Sequence, residues 1–337
     1  MKKTLFLILL YLFTPFEKGG RRALRGGGIL QLKKSPRHAK SAWRPPFSKG
    51  VNSYILFFLV SFYTPFSFAL LHIVAAENVY GSVVEQLGGS HVEVTHILNN
   101  PSSDPHLFST SPSTAKSINV ADIIVYNGAD YDPWMNPLLK SSDIKQKQII
   151  NVAELVNVKS GENPHIWYDP KTMPKFAAKI VGVLSQLDPN NKTYYQTQLK
   201  AFLKEDQAIQ QAVTRLRKRF KNMPVIATES VFNYMIDAIG LDMQGLDFQQ
   251  KVMNDIPPTI SEIKDFEQDL RTHAVHVMIY NDQVINPLTT KMLTIAEEER
   301  IPVVGVSEMM PANTKYVSWI LGELGALEKA LQGKFAE

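Results

Sequence analysis

The stretch that decides the fold is KTYYQTQLKAFLKEDQAIQQAVTRLRKRF, Lys192–Phe220, which contains neither glycine nor proline. Its apolar side chains recur at about 3.6-residue intervals, at Leu199, Phe202, Leu203, Ile209, Val213 and Leu216. The pattern predicts one helix, and its Arg- and Lys-rich C-terminal end suits the helix dipole. At about 1.5 Å per residue this helix would span roughly 40 Å. That is long for a crossover helix inside one domain, so the stretch predicts two halves joined by a single helix.

Short apolar runs alternate with helical patterns on both sides of this helix. HIVAA, VEVTHIL and DIIVYNG precede it, and MPVIATES, VHVMIYN and IPVVGVSE follow it. Strands that alternate with helices indicate βαβ units and parallel sheets. We therefore predict an α/β protein with two lobes, each a parallel sheet flanked by helices, joined by one long rigid helix. The predicted boundaries are 70–190 for the first lobe, 191–220 for the linking helix and 221–337 for the second lobe.

Composition excludes several kinds of function. The chain has 337 residues, 45% of them hydrophobic, and no cysteine, so it can form no disulfide, thiolate metal site or lipid-modified N-terminal cysteine. The formal charge of +4 arises in the first 50 residues, which hold 12 of the 36 basic and one of the 32 acidic residues. Residues 51–69 are uncharged, so the remainder carries 24 basic and 31 acidic residues, a net charge of −7. This balance argues against nucleic-acid binding by the folded part.

The first 69 residues resemble an interrupted export signal. MKKTLFLILLYLF begins with two lysines and an apolar run, and a second apolar run over 53–69 ends in the small residues Ser67 and Ala69. This pattern predicts cleavage after Ala69 and a periplasmic location. Residues 17–50 form a basic, Gly- and Pro-rich insertion between the two runs. The alternative is a retained membrane anchor, although Pro65 and the polar content of 51–71 weaken a spanning helix.

Two histidines follow prolines in similar surroundings. His106 lies in DPHLF and His165 in NPHIWYDP. Proline fixes its own φ and pushes the preceding residue towards an extended conformation, so each histidine is expected on a stiff loop. Neutral imidazole is a common ligand of transition metals, although a loop histidine can equally bond to a backbone carbonyl. The repetition of Pro-His-aliphatic-aromatic favours a metal site.

With these motifs the chain resembles the metal-binding solute receptors of ABC importers for zinc and manganese, a family that includes proteins once described as adhesins. The resemblance covers nearly all of residues 72–331. It implies His106 and His165 as metal ligands and a single long helix between two lobes. It also implies that TESVFNY supplies a third ligand, Glu229. The alternative for Glu229 is a carboxylate that only begins a helix.

The fourth ligand departs from the family pattern. The family usually has an acidic residue, often aspartate, just past a late strand that follows Ile-Pro. Here IPVVGVSEMMP places Glu308 slightly earlier than the usual position, and Asp282 in YNDQVINP is the alternative fourth ligand. We expect Glu308, although it could instead be a helix N-terminal carboxylate or a contact between lobes.

The resemblance implies a receptor that captures a divalent metal, Zn²⁺ or Mn²⁺, as cargo outside the cytoplasm. The expected partners are the membrane subunits of an ABC permease with its cytoplasmic ATPase, and the receptor is expected to be a monomer. Glu229 stands where zinc receptors of this family usually have histidine, and oxygen ligands suit Mn²⁺ better than imidazole does. The alternative is a secreted metalloenzyme with an open coordination position. Against it, the sequence has no HExxH, GxSxG or P-loop motif.

We expect N-terminal sequencing of the exported protein to begin at Leu70, because Ser67 and Ala69 match the small-x-small pattern that precedes a cleavage site. A mature chain that still carries residues 17–50 would contradict this prediction.

Overall fold

The computed structural model describes residues 70–99 and 108–333. The predicted leader 1–69 with its insertion 17–50, the cleavage site after Ala69 and the predicted ligand His106 lie outside these residues. Within the described part, no helix is both long enough and apolar enough to cross a membrane. All described residues belong to one unit of the chain, Phe66–Glu337.

The first half contains a four-stranded parallel sheet. Its strands are β1 (Leu71–Glu77), β2 (Val92–Leu98), β3 (Ile123–Tyr126) and β4 (Gln148–Asn151), in the order β2-β1-β3-β4. The helices around it are α1 (Asn78–Gly88), α2 (Pro112–Val120), α3 (Met135–Ser141), α4 (Val152–Val156) and α5 (Thr172–Leu187). Ser111 caps α2 by accepting a hydrogen bond from the Thr114 amide, and Pro112 takes the first helical position.

The linking helix α6 runs from Lys192 to Phe220 without interruption. Its first turn follows the short turn Pro189–Asn191, and its last turn carries Arg217, Lys218 and Arg219. Both its length and its basic C-terminal end agree with the sequence pattern.

The second half repeats the strand order of the first. Its strands are β5 (Pro224–Ala227), β6 (Asp242–Gln244), β7 (Val277–Asn281) and β8 (Val303–Val306), all parallel, in the order β6-β5-β7-β8. Its helices are α7 (Asn233–Ile239), α8 (Leu246–Met253), α9 (Ile260–Arg271), α10 (Pro287–Glu298) and α11 (Tyr316–Leu331). The predicted fold class is therefore confirmed: two lobes, each a parallel sheet flanked by helices, joined by one long helix.

The strand order creates one crevice in each sheet. The chain leaves β1 for β2 on one side and later returns to β3 on the other, and β5, β6 and β7 repeat this path. In doubly wound sheets, ligands bind outside the carboxyl ends of the strands at such a switch point. The loops after β1, β3, β5 and β7 are therefore the expected location of a binding site, and the loop after β8 leaves the same edge of the second sheet.

One apolar core runs through both halves. It includes Ile73 and Tyr80 from the first half, Leu216 from α6, and Val225 and Ile279 from the second half. The long helix thus packs against both lobes, which resists large changes in their relative orientation.

A carboxylate interrupts the buried stripe of α6. Asp206 lies in helical register with Phe202 and Ile209, only 3% of its surface is exposed, and its Oδ1 atom accepts no hydrogen bond among the described residues. Burial raises the pKa of Asp206 to about 6, and a hydrogen bond from Gln210 opposes the rise. The folded protein therefore holds the proton at a pH where an exposed aspartate has lost it.

We expect Asp206→Asn to increase the free energy of unfolding at pH 7 by about 1–2 kcal/mol, since one pKa unit is worth about 1.4 kcal/mol and partial solvation reduces the effect. In the wild type, this contribution to stability is present below about pH 4 and is lost as the pH rises to about 6. Denaturant unfolding of both proteins at several pH values would measure the difference. Asp265→Asn, at an exposed position of α9, is the control, and equal pH dependence of wild type and Asp206→Asn would contradict the prediction.

Candidate metal centre

Three of the predicted ligands come together between the two lobes. His165, Glu229 and Glu308 are all buried, and each offers one ligand atom within 4.8 Å of the others. His165 Nε2 lies 3.7 Å from Glu308 Oε2. His106 lies outside the described residues and stays a prediction. Asp282 is exposed and does not belong to this group.

Each of the three residues lies next to an element that fixes its backbone. His165 precedes the short turn Ile166–Tyr168. Glu229 has extended backbone angles (φ −153°, ψ 156°) between β5 and the turn Ser230–Phe232, and its side chain makes no capping hydrogen bond to that turn. Glu308 follows β8. The carboxyl ends of two strands in the second sheet therefore face a loop of the first half.

Asn163 sets the tautomer of His165. Its Oδ1 atom lies 2.8 Å from His165 Nδ1 and accepts the His165 backbone N–H at 3.0 Å, while its Nδ2 donates to the Ser230 carbonyl at 2.6 Å. Because Oδ1 can only accept, His165 Nδ1 must carry the proton. The lone pair of the neutral ring is then on Nε2. That atom is buried and has no hydrogen-bond partner among the described residues, as a metal-ligating nitrogen requires.

Aromatic rings hold the plane of the imidazole. The ring centroids of Tyr131 and Trp167 lie 5.9 and 5.4 Å from that of His165, with interplanar angles of 70° and 81°. All three side chains are fully buried. Edge-to-face contacts of this kind contribute about 0.5–1.5 kcal/mol each, so the ring is oriented before any ligand arrives.

Neutral donors approach the two carboxylates. The Asn281 amide nitrogen lies 3.0 Å from Glu229 Oε2 and 2.6 Å from Glu308 Oε1, and the Tyr131 hydroxyl donates to Glu308 Oε2 at 3.2 Å. Burial raises the pKa of Tyr131 well above its ordinary value, and the Glu308 charge raises it further, so Tyr131 remains a donor. The contact with Tyr131 also makes Glu308 a link between the lobes. Sequence reasoning did not identify Asn281, because only its place at the end of β7 hints at a role.

A second pair of buried carboxyl groups, Glu77 and Asp132, lies in the first half and supports the backbone of the His165 loop through Asn127. Burial raises the pKa of Glu77 well above its ordinary value, and the nearby Asp132 charge raises it further. Asp132 accepts the backbone N–H groups of Asn127 and Gly128 at 2.7 and 2.9 Å. The Asn127 side chain in turn donates to the Pro164 carbonyl at 2.9 Å. This network fixes the residue immediately before His165.

The donor set determines which chemistry the site suits. One imidazole nitrogen and two carboxylates form a mixed nitrogen and oxygen site, and two carboxylates neutralise a divalent ion. Zn²⁺ and other divalent transition metals accept such ligands. The described residues thus fit a divalent transition ion.

Comparison with known proteins agrees with this assignment. Residues 73–330 match the family model described as the periplasmic component A of a zinc-uptake complex. The metal ABC transporter substrate-binding lipoprotein FimA of Streptococcus parasanguinis is 24% identical over 251 residues, which cover 69% of this chain and 78% of FimA. The manganese-binding lipoprotein MntA of Halalkalibacterium halodurans is 24% identical over 242 residues, 70% of this chain and 78% of MntA.

A solved structure shares the fold. The periplasmic zinc-binding protein TroA of Treponema pallidum superposes with a TM-score of 0.67 at 16% sequence identity. The match covers 78% of this chain and 99% of TroA. It establishes the two-lobed architecture.

We expect Asn163→Leu to weaken binding of Zn²⁺ by about 10–100-fold, the usual effect of losing the outer partner of a metal-ligating histidine. Asn163→Asp keeps an acceptor for His165 Nδ1 and should bind more tightly than Asn163→Leu. Calorimetric titration after chelator treatment would measure the affinities, and ¹⁵N NMR of His165 would report the tautomer. Asn119→Leu, at an exposed position of α2, is the control. Wild-type affinity in Asn163→Leu would show that the tautomer is set by other groups.

Proposed function

We propose that this chain, which belongs to the family described as the periplasmic component A of a zinc-uptake complex, is a receptor for a divalent transition metal. It captures Zn²⁺ or Mn²⁺ as cargo between its two lobes and delivers the ion to an ABC permease for import. The observation that carries the proposal is the convergence of His165, Glu229 and Glu308 within 4.8 Å in a buried position. Two carboxylates of like charge beside an imidazole nitrogen form a site that favours a cation.

We propose four ligands: His106, His165, Glu229 and Glu308. Two imidazoles and two carboxylates satisfy the charge of a divalent ion. Glu308 is preferred over Asp282 as the fourth ligand, because Asp282 is exposed whereas Glu308 is buried beside His165. The two histidines would come from the first lobe and the two carboxylates from the second, so the ion would lie between the lobes.

Both zinc and manganese remain candidates for the cargo. TroA is named for zinc and MntA for manganese. At nitrogen and oxygen sites the intrinsic order of affinity places Zn²⁺ above Mn²⁺, so Zn²⁺ should bind more tightly in a titration. The two carboxylates are the feature that suits Mn²⁺.

A receptor fits the site better than an enzyme. A catalytic metal keeps an open position for water or substrate, whereas two histidines and two carboxylates fill a four-coordinate shell. The alternative, a secreted metalloenzyme, would require one carboxylate to leave the metal and act as a base. The hydrogen bonds that hold Glu308 from Tyr131 and Asn281 favour a fixed ligand.

The remaining parts of the proposal concern export and assembly. Cleavage after Ala69 would release a chain with lobes 70–190 and 221–337 joined through 191–220. The curated relatives are named lipoproteins, but a chain without cysteine cannot carry a lipid on that residue. The receptor would act as a monomer that docks on the permease, whose ATPase lies in the cytoplasm, and would bind no nucleic acid.

We expect one tight metal site per chain in titrations with Zn²⁺ and, separately, with Mn²⁺, after chelator treatment. His165→Ala should abolish tight binding and Glu308→Ala should weaken it by more than about 100-fold, since loss of an outer partner alone costs about 10–100-fold. Asp282→Ala should bind as the wild type does. This variant is the matched control, because it removes the competing carboxylate.

The absence of stoichiometric binding of either metal would overturn the proposed function. Weakening by Asp282→Ala instead of Glu308→Ala would leave the receptor in place and reassign its fourth ligand.

A further inference from the structure

Asn281 links the two carboxylates of the proposed site. It is the last residue of β7, only 2% of its surface is exposed, and its Nδ2 atom lies within hydrogen-bond distance of Glu229 Oε2 and Glu308 Oε1. Its Oδ1 atom accepts the backbone N–H of Gln283 at 3.1 Å. A single amide therefore contacts both acidic ligands.

The amide can face in only one direction. An asparagine amide nitrogen has two hydrogens, which matches the two carboxylate oxygens beside it. The opposite orientation would turn Oδ1 towards two acceptors and Nδ2 towards the Gln283 N–H, and would lose all three hydrogen bonds. Both Asn281 donors are consequently committed to the carboxylates.

The strand order places Asn281 between the two ligands. β7 pairs with β5 on one side and β8 on the other, and Asn281 lies opposite Val306 at the end of β8. Glu229 follows β5 and Glu308 follows β8. The position of the amide is thus fixed by backbone pairing on both sides, and it does not depend on a flexible loop.

The two oxygens of Glu308 have different surroundings. Oε1 is 2.6 Å from Asn281 Nδ2, whereas Oε2 accepts a longer hydrogen bond of 3.2 Å from the Tyr131 hydroxyl and lies 3.7 Å from His165 Nε2. A metal bound at His165 Nε2 would therefore meet Oε2 first. For Oε1 to join the same metal, the short hydrogen bond to Asn281 would have to be given up.

We propose that Asn281 determines the coordination number of the metal by holding one oxygen of each carboxylate, so that each carboxylate gives the metal a single oxygen. This inference rests on the proposed function. One oxygen from each carboxylate keeps the number of ligands low, which suits Zn²⁺ because that ion prefers four. Ions that favour six ligands with many oxygens, such as Mn²⁺, need the second oxygens or added water. Asn281 is accordingly a positioning residue that favours Zn²⁺ over Mn²⁺.

Co²⁺ is a suitable probe, because four-coordinate Co²⁺ absorbs visible light much more strongly than five- or six-coordinate Co²⁺. We expect intense absorption from the Co²⁺-loaded wild type. Asn281→Leu releases both held oxygens and should give a weaker spectrum of higher coordination number. Asn281→Thr keeps one donor and should lie between the two.

Competition between Zn²⁺ and Mn²⁺ gives a second readout. Loss of an outer partner lowers metal affinity by about 10–100-fold. In Asn281→Leu the affinity for Zn²⁺ should decrease more than the affinity for Mn²⁺. The ratio of the two dissociation constants should therefore move towards Mn²⁺ by about tenfold. Gln249→Leu is the matched control, because it removes another fully buried amide of the second half, one that donates to the Gln244 carbonyl.

The outcomes separate this inference from the proposed function. Unchanged Co²⁺ spectra and an unchanged Zn²⁺/Mn²⁺ ratio in folded Asn281→Leu would overturn the role of Asn281 and leave the receptor intact. Failure of the wild type to bind Co²⁺, Zn²⁺ or Mn²⁺ would overturn the receptor itself. If Asn281→Leu does not fold, Asn281→Thr decides by the same two measurements.

Discussion

The close approach of two buried carboxylates is the constraint on which this architecture depends. Glu229 and Glu308 repel each other in a region of low dielectric, where an uncompensated charge is costly. The structure supplies neutral donors from Asn281 and Tyr131 and places His165 alongside. These donors come from both lobes, so the environment of the carboxylates depends on the relative position of the lobes. The long helix and the shared core maintain that relative position.

The two sheets share one topology, but their buried polar groups have different roles. Each has the same strand order, and each carries a buried carboxyl pair and an asparagine at the carboxyl ends of its strands. In the first half, burial and the Asp132 charge raise the pKa of Glu77, backbone N–H groups donate to Asp132, and Asn127 donates to the Pro164 carbonyl. In the second half, the pair faces His165. The first sheet thus supports a loop, and the second places two carboxylates beside His165.

The sequence predicted the elements that have a strong local period. Helix α6 begins and ends as its pattern indicates. Helix α5, Thr172–Leu187, was not predicted, because Pro174 and Gly182 interrupt its amphipathic pattern. Proline is tolerated there because it lies in the first turn.

The details of the site depend on tertiary structure and were harder to predict. No local pattern distinguishes Asn281 from an ordinary residue at the end of a strand. The choice between Glu308 and Asp282 likewise depends on side-chain direction. Because successive side chains of a strand point to opposite faces, Asp282 points away from the face that Asn281 occupies and lies against Gly305. The sequence shows both carboxylates but not the face on which each lies.

The contacts of Asn163 have a thermodynamic consequence. This residue orients the ring of His165 while it binds the second half through the Ser230 carbonyl and the Tyr234 hydroxyl. Separation of the lobes at this point therefore disturbs the imidazole, and an ion on the imidazole resists that separation. Such linkage is reciprocal. Consider a membrane partner that binds the form with separated lobes more tightly. It must lower the affinity for the ion by the same factor by which the bound ion lowers the affinity for the partner. Docking of the partner and release of the ion are therefore two aspects of one coupling free energy.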